Sequence, residues 1–509
     1  PDVYFQHQES NNADYDAVPG VVENLMCEIN KITGRDYHIF NYYGTNDADR
    51  VIVVMGSATE TIKEVVDYLN SQGEKVGVLQ IHLFRPFNIE FFLSQMPKTV
   101  KKITALDRSK EPGSIAGAVY LDVCAVYNGS ENAPTIYGGR YGLAAKNVTP
   151  AQIKAVFENM NSEQPKELFT IGITDDVTNL SLEVKEPLIT ESKDTISCKF
   201  WGVGGDGTVG ANKNSAKIIG DFSRLYTQAY FEYDSKKSNG ITKSHLRFSK
   251  DPIRSTYLVK AADFLACHVE SYIHKYDILH EIKEGGTFLL NTPLKSEELE
   301  AELPARVKRE LANRNVKFYI IDAGSIAQAL GLGGFSNLIL QSAFFKLTGI
   351  IPLDKAIDFM KEAATKAYAS KGEEIVERNH AAISAGVDSV IKVKIPESWK
   401  NAEDEEIETT ELSDVYKNIV DPCNRQRGDD LPVSVFVPHK DGSYPLGTSK
   451  MDKRGIATHI PVWNPENCIQ CNQCSFVCPH AVIRPFLIDE EEVKNAPEDF
   501  TMIDARGID

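Results

Sequence analysis

The stretch "CIQCNQCSFVCP" places Cys468, Cys471, Cys474 and Cys478, four of the nine cysteines of the chain, within eleven residues and follows them with Pro479. The spacing C-x2-C-x2-C-x3-C-P wraps a tight loop around one corner-sharing cubane of iron and sulfide, because thiolates are soft ligands and the proline turns the chain away. Zinc is the competing reading, but structural zinc sites use two separated pairs of ligands. Core filling requires no such spacing. In two-cluster ferredoxins the fourth cysteine of each run serves the other cluster, so a second run is needed. None occurs in these 509 residues. Cys423 is a possible donor, but the missing thiolates are expected downstream, and the chain is expected to be the middle of a longer one.

Composition narrows the remaining classes. A length of 509 residues predicts several domains. A net charge of −17 argues against a nucleic-acid partner and suits a basic electron-transfer partner. No apolar run reaches the roughly 18 residues of a membrane helix. The other five cysteines (Cys27, Cys124, Cys198, Cys267, Cys423) are scattered, which fits a reducing compartment better than a disulfide framework.

Along the chain, Val21, Val22, Leu25 and Ile29 recur at helical spacing before Gly34. From Arg50, "RVIVVMGS", "KVGVLQIHLF" and "VKKITALDR" alternate with a helix in which Ile62, Val65, Val66 and Leu69 share a face and Ser57 and Glu60 form a capping-box pair. This predicts a parallel sheet covered on both faces, without a phosphate loop. A second alternation starts near Cys198 with "SCKFWGVGGDG", "AYFEYD", "TYLVK", "GTFLLN" and "VKFYIID", and continues into a helix between Pro352 and Gly372. Six carboxylates between Glu403 and Glu411 mark a boundary, and the following Gly-, Pro- and Asp-rich stretch reads as a loop-rich module that takes its order from its neighbours.

The second candidate site is Gly202-x-Gly204-x-x-Gly207, between a predicted strand and a predicted helix. Backbone amides at such a turn accept phosphate, and Thr208 and Lys213 add a hydroxyl and a charge. A tight turn with no ligand has the same pattern. NAD would take Glu232 or Asp234 on the next strand, and thiamine diphosphate would use Gly205-Asp206-Gly207 with an asparagine represented only by Asn239. Coenzyme A would use the same amide nest as NAD, and spacing does not separate these two.

In order, "GRDYHIFNYYG", "RVIVVMGSATET", "VGVLQIHLFRPF", "LDRSKEPG", "GGRYGL", "VGGDGTVGANKNSAKIIG", "GLGGFSN", "QSAFFKLTGIIPLDKAI" and "KRGIATHIPVWNPENCIQCNQCSFVCPH" span essentially the whole chain. Together they resemble the central segment of pyruvate:ferredoxin (flavodoxin) oxidoreductases. The resemblance implies a multidomain α/β protein with two successive parallel-sheet α/β domains. Its parts would be residues 1–40, the tail of a pyruvate (thiamine pyrimidine-type) domain; 41–194, a transketolase-C-like domain; 195–406, a gamma-type domain; 407–462, an EKR module; and 463–509, a partial two-cluster 4Fe-4S ferredoxin domain. The EKR signature stands here as Asp452-Lys453-Arg454.

The implied reaction is oxidative decarboxylation of pyruvate with coenzyme A to acetyl-CoA and carbon dioxide, with electrons passing to ferredoxin or flavodoxin. The resemblance assigns coenzyme A to Gly204, Gly205, Gly207, Thr208 and Lys213, and cluster ligation to Cys468, Cys471, Cys474 and Cys478. Thiamine diphosphate and Mg2+ would be held outside this segment, so no catalytic residue is assigned and the segment alone is expected to be inactive. A homodimer in the cytoplasm, or in hydrogenosomes, is also implied. The alternatives are a pyruvate:NADP oxidoreductase fusion, an enzyme for another 2-oxoacid, and a non-catalytic electron-transfer subunit.

Overall fold

The computed structural model describes residues 2–236, 240–403, 413–451, 461–497 and 500–507. Asn239, most of the carboxylate run and Asp452-Lys453-Arg454 lie outside the described residues. Two compact units are present, residues 1–451 and 452–509.

In the first unit, helix Asn12–Thr33 ends at Gly34, whose φ of 68° stops it in the left-handed conformation. The helix lays Val22 and Met26 on the core, while Val21, Leu25 and Ile29 are exposed. The first sheet has strands β1 (Phe40–Gly44), β2 (Arg50–Met55), β3 (Val76–Ile81), β4 (Lys102–Asp107), β5 (Thr135–Arg140) and β6 (Leu168–Thr170), in the order β1-β3-β2-β4-β5-β6. All neighbours are parallel except β1, which runs antiparallel along β3 and closes that edge. The central strands are apolar throughout because helices cover both faces. Ile62, Val65, Val66 and Leu69 of helix Ala58–Ser71 are all buried, as their spacing predicts. The Ser57–Glu60 capping box does not form. Ser57 has helical dihedrals, which aim its side chain away from the first-turn amides, and Glu60 pairs with Lys63 at 2.6 Å.

The second sheet is built from β7 (Ile196–Val203), β8 (Tyr226–Tyr233), β9 (Ile241–Ser249), β10 (Ala262–Cys267), β11 (Ile282–Asn291), β12 (Lys317–Ile321) and β13 (Ile391–Lys392). Their order is β13-β12-β11-β10-β7-β9-β8, with a parallel centre from β7 through β12 and antiparallel strands at both edges. Phe200, Phe264 and Phe344 meet at centroid distances of 5.3–5.6 Å between this sheet and the helices on one face. Each such fully buried ring contributes about 1.5–3 kcal/mol. In that helical layer Gly386 lets helix Glu373–Asp388 approach helix Asn337–Thr348, since a Cβ there would sit 2.2 Å from the Ile339 carbonyl oxygen.

"TYLVK" is a loop; the strand is the following "ADFLAC". The loop reaches across to the first sheet's helix Ala58–Ser71. The hydroxyls of Thr61 and Thr256 lie 2.8 Å apart, and Arg254 donates to Tyr43 Oη at 2.9 Å. Glu64 accepts from the hydroxyls of Thr190 (2.7 Å), Ser255 (2.7 Å) and Tyr257 (3.0 Å). Beneath this loop, β7 and β9 bury a charged face: Lys199, His245 and Arg247 are each no more than 2% exposed. Lys199 pairs with Glu281, which also meets Lys260 at 3.1 Å, and Arg247 pairs with Glu191 at 2.8 Å. Burial works against the Glu281 carboxylate, but the two lysines outweigh it and pull its pKa down to about 2. Residues 413–451 form short turns fastened to the same unit, through Lys146–Asp429 at 2.9 Å and the Val433 N–H on the Thr174 carbonyl at 2.9 Å.

Candidate functional site: a glycine loop and a thiol run

β7 delivers the chain to Gly202 and Val203, and helix Thr208–Phe222 begins immediately after Gly207. Gly205 and Gly207 have φ of 95° and 85°, values that let the strand reverse into the helix within four residues. The Gly204 N–H donates to the Gly240 carbonyl at 2.8 Å.

Asp206 organises the turn. Its carboxylate accepts from the N–H of Val203 (2.9 Å), the N–H of Thr208 (2.8 Å) and the Thr208 hydroxyl (2.8 Å). A hydroxyl has one proton, and it goes to Asp206, so the 2.7 Å contact from Thr208 Oγ1 to His268 Nδ1 makes the ring nitrogen the donor. Burial holds His268 neutral, with its pKa down at about 4 despite the nearby Asp206 carboxylate. Thr208 is 2% exposed and faces inward. Lys213 lies more than a turn further along the helix, exposed, with its ammonium 5.3 Å from the Phe231 ring centre. The N–H groups of Gly205, Gly207, Val209 and Gly210 have no acceptor among the described residues. An amide nest is thus present, with one internal carboxylate already beside it.

The NAD reading fails on topology. In a dinucleotide fold the strand after the helix lies parallel beside the first strand and brings its acid to the ribose. Here that strand, β8, lies at the sheet edge and is separated from β7 by the antiparallel strand β9, and Glu232 is bound to His245 Nε2 at 2.7 Å. Asp206 entered the sequence reading only within the Gly205-Asp206-Gly207 triplet, and His268 lies outside the motif. The signal for His268 is its place just past the apolar run of β10, at the same sheet end as the loop.

In the second unit, Cys468, Cys471, Cys474 and Cys478 fall on a loop with one short helix, Gln473–Val477. The backbone enters the left-handed region at Gln470 (φ 58°), Asn472 (φ 59°) and Ala481 (φ 51°). Gln470 is anchored by its side-chain amide to the Asp504 carbonyl at 2.6 Å and by the Arg506 N–H at 2.8 Å. Two thiols are biased toward thiolate: hydrogen bonds from the Gln470 amide and Trp463 lower the pKa of Cys468, and those from the amides of Val482, Ile483 and His480 lower that of Cys478. No three of the four sulfurs lie within 4.8 Å of one another. Among the described residues of 461–507 no side chain is buried. Four soft donors at this spacing, two of them biased toward thiolate, fit a 4Fe-4S cluster.

Residues 197–389 match the family described as pyruvate ferredoxin/flavodoxin oxidoreductase, and residues 48–153 match pyruvate:ferredoxin oxidoreductase core domain II. Residues 401–457 match EKR, a domain of unknown function, and residues 460–483 match a 4Fe-4S binding domain. A pyruvate-flavodoxin oxidoreductase of Enterobacter agglomerans is 52% identical over 508 residues, covering 100% of this chain and 43% of the relative. A pyruvate:ferredoxin oxidoreductase of Moorella thermoacetica is 51% identical with the same coverage. A pyruvate dehydrogenase [NADP(+)] of Cryptosporidium parvum is 46% identical, covering 99% of this chain and 28% of the relative. The chain therefore spans less than half the length of these relatives. With about half of its residues shared end to end and a thiol run that fits a 4Fe-4S cluster, the chain belongs to the pyruvate:ferredoxin/flavodoxin oxidoreductase family.

Proposed function

We propose that the chain is the central part of an enzyme that converts pyruvate and coenzyme A into acetyl-CoA, carbon dioxide, a proton and two electrons, the electrons leaving singly to ferredoxin or flavodoxin. The observation that carries this reading is the C-x2-C-x2-C-x3-C-P thiol run in a chain about 50% identical throughout to enzymes named for that reaction. When bound, 4Fe-4S clusters supply one-electron relay. Cys468, Cys471 and Cys474 would hold one cluster and Cys478 the other, with hydrogen bonds to Cys468 and Cys478 favouring their thiolate forms. In anaerobically purified full-length enzyme, Cys471→Ser is expected to lower iron and acid-labile sulfide together and to abolish pyruvate-dependent ferredoxin reduction. Zinc without iron or sulfide in the unsubstituted protein would overturn the reading.

Coenzyme A is assigned to the glycine loop. The amides of Gly205 and Gly207 would accept a phosphate, Gly204 would keep the turn pinned to Gly240, Thr208 would position Asp206, and Lys213 would add charge at the rim. A phosphate there sits on a turn braced through both Asp206 oxygens, so Asp206→Asn, which sets a donor against one of those N–H groups, is expected to weaken coenzyme A binding by about tenfold or more. Unchanged affinity by calorimetry places the phosphate elsewhere.

The relative from Cryptosporidium parvum favours one second reading, in which NADP is the final acceptor. Comparing acceptors with the same full-length enzyme separates the two. Thiamine diphosphate and Mg2+ are assigned to polypeptide outside these 509 residues, which alone are expected to form no acetyl-CoA. The enzyme is placed in the cytoplasm as a homodimer; among the described residues no helix is long and apolar enough to cross a membrane.

A further inference from the structure

Glu23, Cys27 and His38 belong to neither loop. Glu23 and Cys27 are one turn apart on helix Asn12–Thr33, and His38 lies in the connector after Gly34. A carboxylate oxygen of Glu23, the sulfur of Cys27 and a ring nitrogen of His38 all lie within 4.8 Å of one another, and all three residues are half-buried.

The backbone around them is fixed by other bonds. The Asn30 side chain donates to the Tyr37 carbonyl and accepts from the Tyr37 N–H, both at 2.8 Å. The second oxygen of Glu23 accepts the Ile39 N–H at 3.0 Å, and Asn41 accepts the His38 N–H at 2.9 Å while donating to the Asp36 carbonyl at 2.9 Å. The imidazole is also oriented: Nδ1 faces Glu23, and Nε2 lies 3.1 Å from Asp36 Oδ1. A ring between two carboxylates either carries a proton on each nitrogen or keeps one toward Asp36 and gives Nδ1 to a cation. The second state is the carboxylate–histidine–metal arrangement in which an outer acid fixes the tautomer of a ligating histidine.

We propose that Glu23, Cys27 and His38 form a binding site for one zinc-class divalent ion, with Asp36 as the outer partner of His38 and water at the fourth position. One thiolate, one imidazole and one carboxylate make a borderline-soft donor set that suits Zn2+ better than Mg2+ or Ca2+. Bonds of about 2.0–2.3 Å to a tetrahedral ion need donor atoms roughly 3.3–3.8 Å apart, which small side-chain rotations provide from the observed arrangement. The ion would tie the helix to the entrance of β1 without using either loop.

The test is equilibrium dialysis of Zn2+ against anaerobic full-length protein whose thiol run is already loaded with iron and sulfide, so that the run does not compete. One zinc per chain is expected in the unsubstituted protein and in Lys31→Ala, a change on the exposed surface, and none in Cys27→Ser or His38→Gln. Asp36→Asn, an exposed change that keeps the fold, is expected to weaken binding about 10–100-fold. Zinc should also raise the melting temperature of the unsubstituted protein and not that of Cys27→Ser. No zinc uptake, or uptake unchanged by Cys27→Ser, His38→Gln and Asp36→Asn, overturns the proposal, and neither result bears on the reaction assigned to the enzyme.

Discussion

The glycine loop and the thiol run both reverse the chain through left-handed dihedrals, but they are held by opposite means. Gly205 and Gly207 take those dihedrals without steric cost, and the turn between them is braced by Asp206, Thr208 and His268 above a packed sheet. Gln470, Asn472 and Ala481 take them at a cost, in a segment with no buried side chain among its described residues. The first loop carries its order in side chains already present. The second has no such packed bracing among its described residues.

Removing iron should therefore produce the largest contrast. Chelation under air is expected to open residues 461–507 to proteolysis while leaving the cleavage pattern of residues 2–403 unchanged; equal loss in both would erase the distinction. Glu281→Ala comes next, because it leaves Lys199 buried without its main counter-charge. A cost of about 3–5 kcal/mol is expected in denaturant unfolding of the first unit, with iron content unaffected.

A pH effect should follow in the same unit. Burial lowers His245 to about 4, against the opposing hydrogen bond it donates to Glu232, and lowers His268 to about 4 as well. Between about 6.5 and 4 the unfolded chain binds protons that the folded chain does not. Stability should fall as pH drops through that window, by about 2–3 kcal/mol per histidine, and the histidine contribution should level off below about 4. His245→Gln should flatten its share of the curve. The smallest effect is expected at the thiol run, where Asn472→Gly relieves a left-handed residue and should change stability of the loaded protein by no more than about 1 kcal/mol, with cluster content intact.

What could be read from sequence follows the same division. The thiol run was legible because ligand spacing is local, and β2, β3 and β4 were legible because strands buried on both faces are continuous apolar runs. β9 was not: Lys243, His245 and Arg247 alternate with less polar residues and look like a wetted face, yet the loop of residues 251–261 and Glu191 cover His245 and Arg247. Only tertiary pairing reveals that burial, just as it reveals the insertion of β9 between β7 and β8 that removes the dinucleotide reading. The capping box failed for a different reason, since the residue pair was right but Ser57 entered the helix with helical dihedrals.

Glu64 gives the join between the two sheets an unusual economy. Three hydroxyls, from Thr190, Ser255 and Tyr257, converge on one carboxyl group carried by a helix of the first sheet. A contact surface of methyl groups would yield gradually under stress, whereas here three tethers hang on one side chain, and displacing it would release those three in one event, leaving Thr61–Thr256 and Arg254–Tyr43 to hold the join.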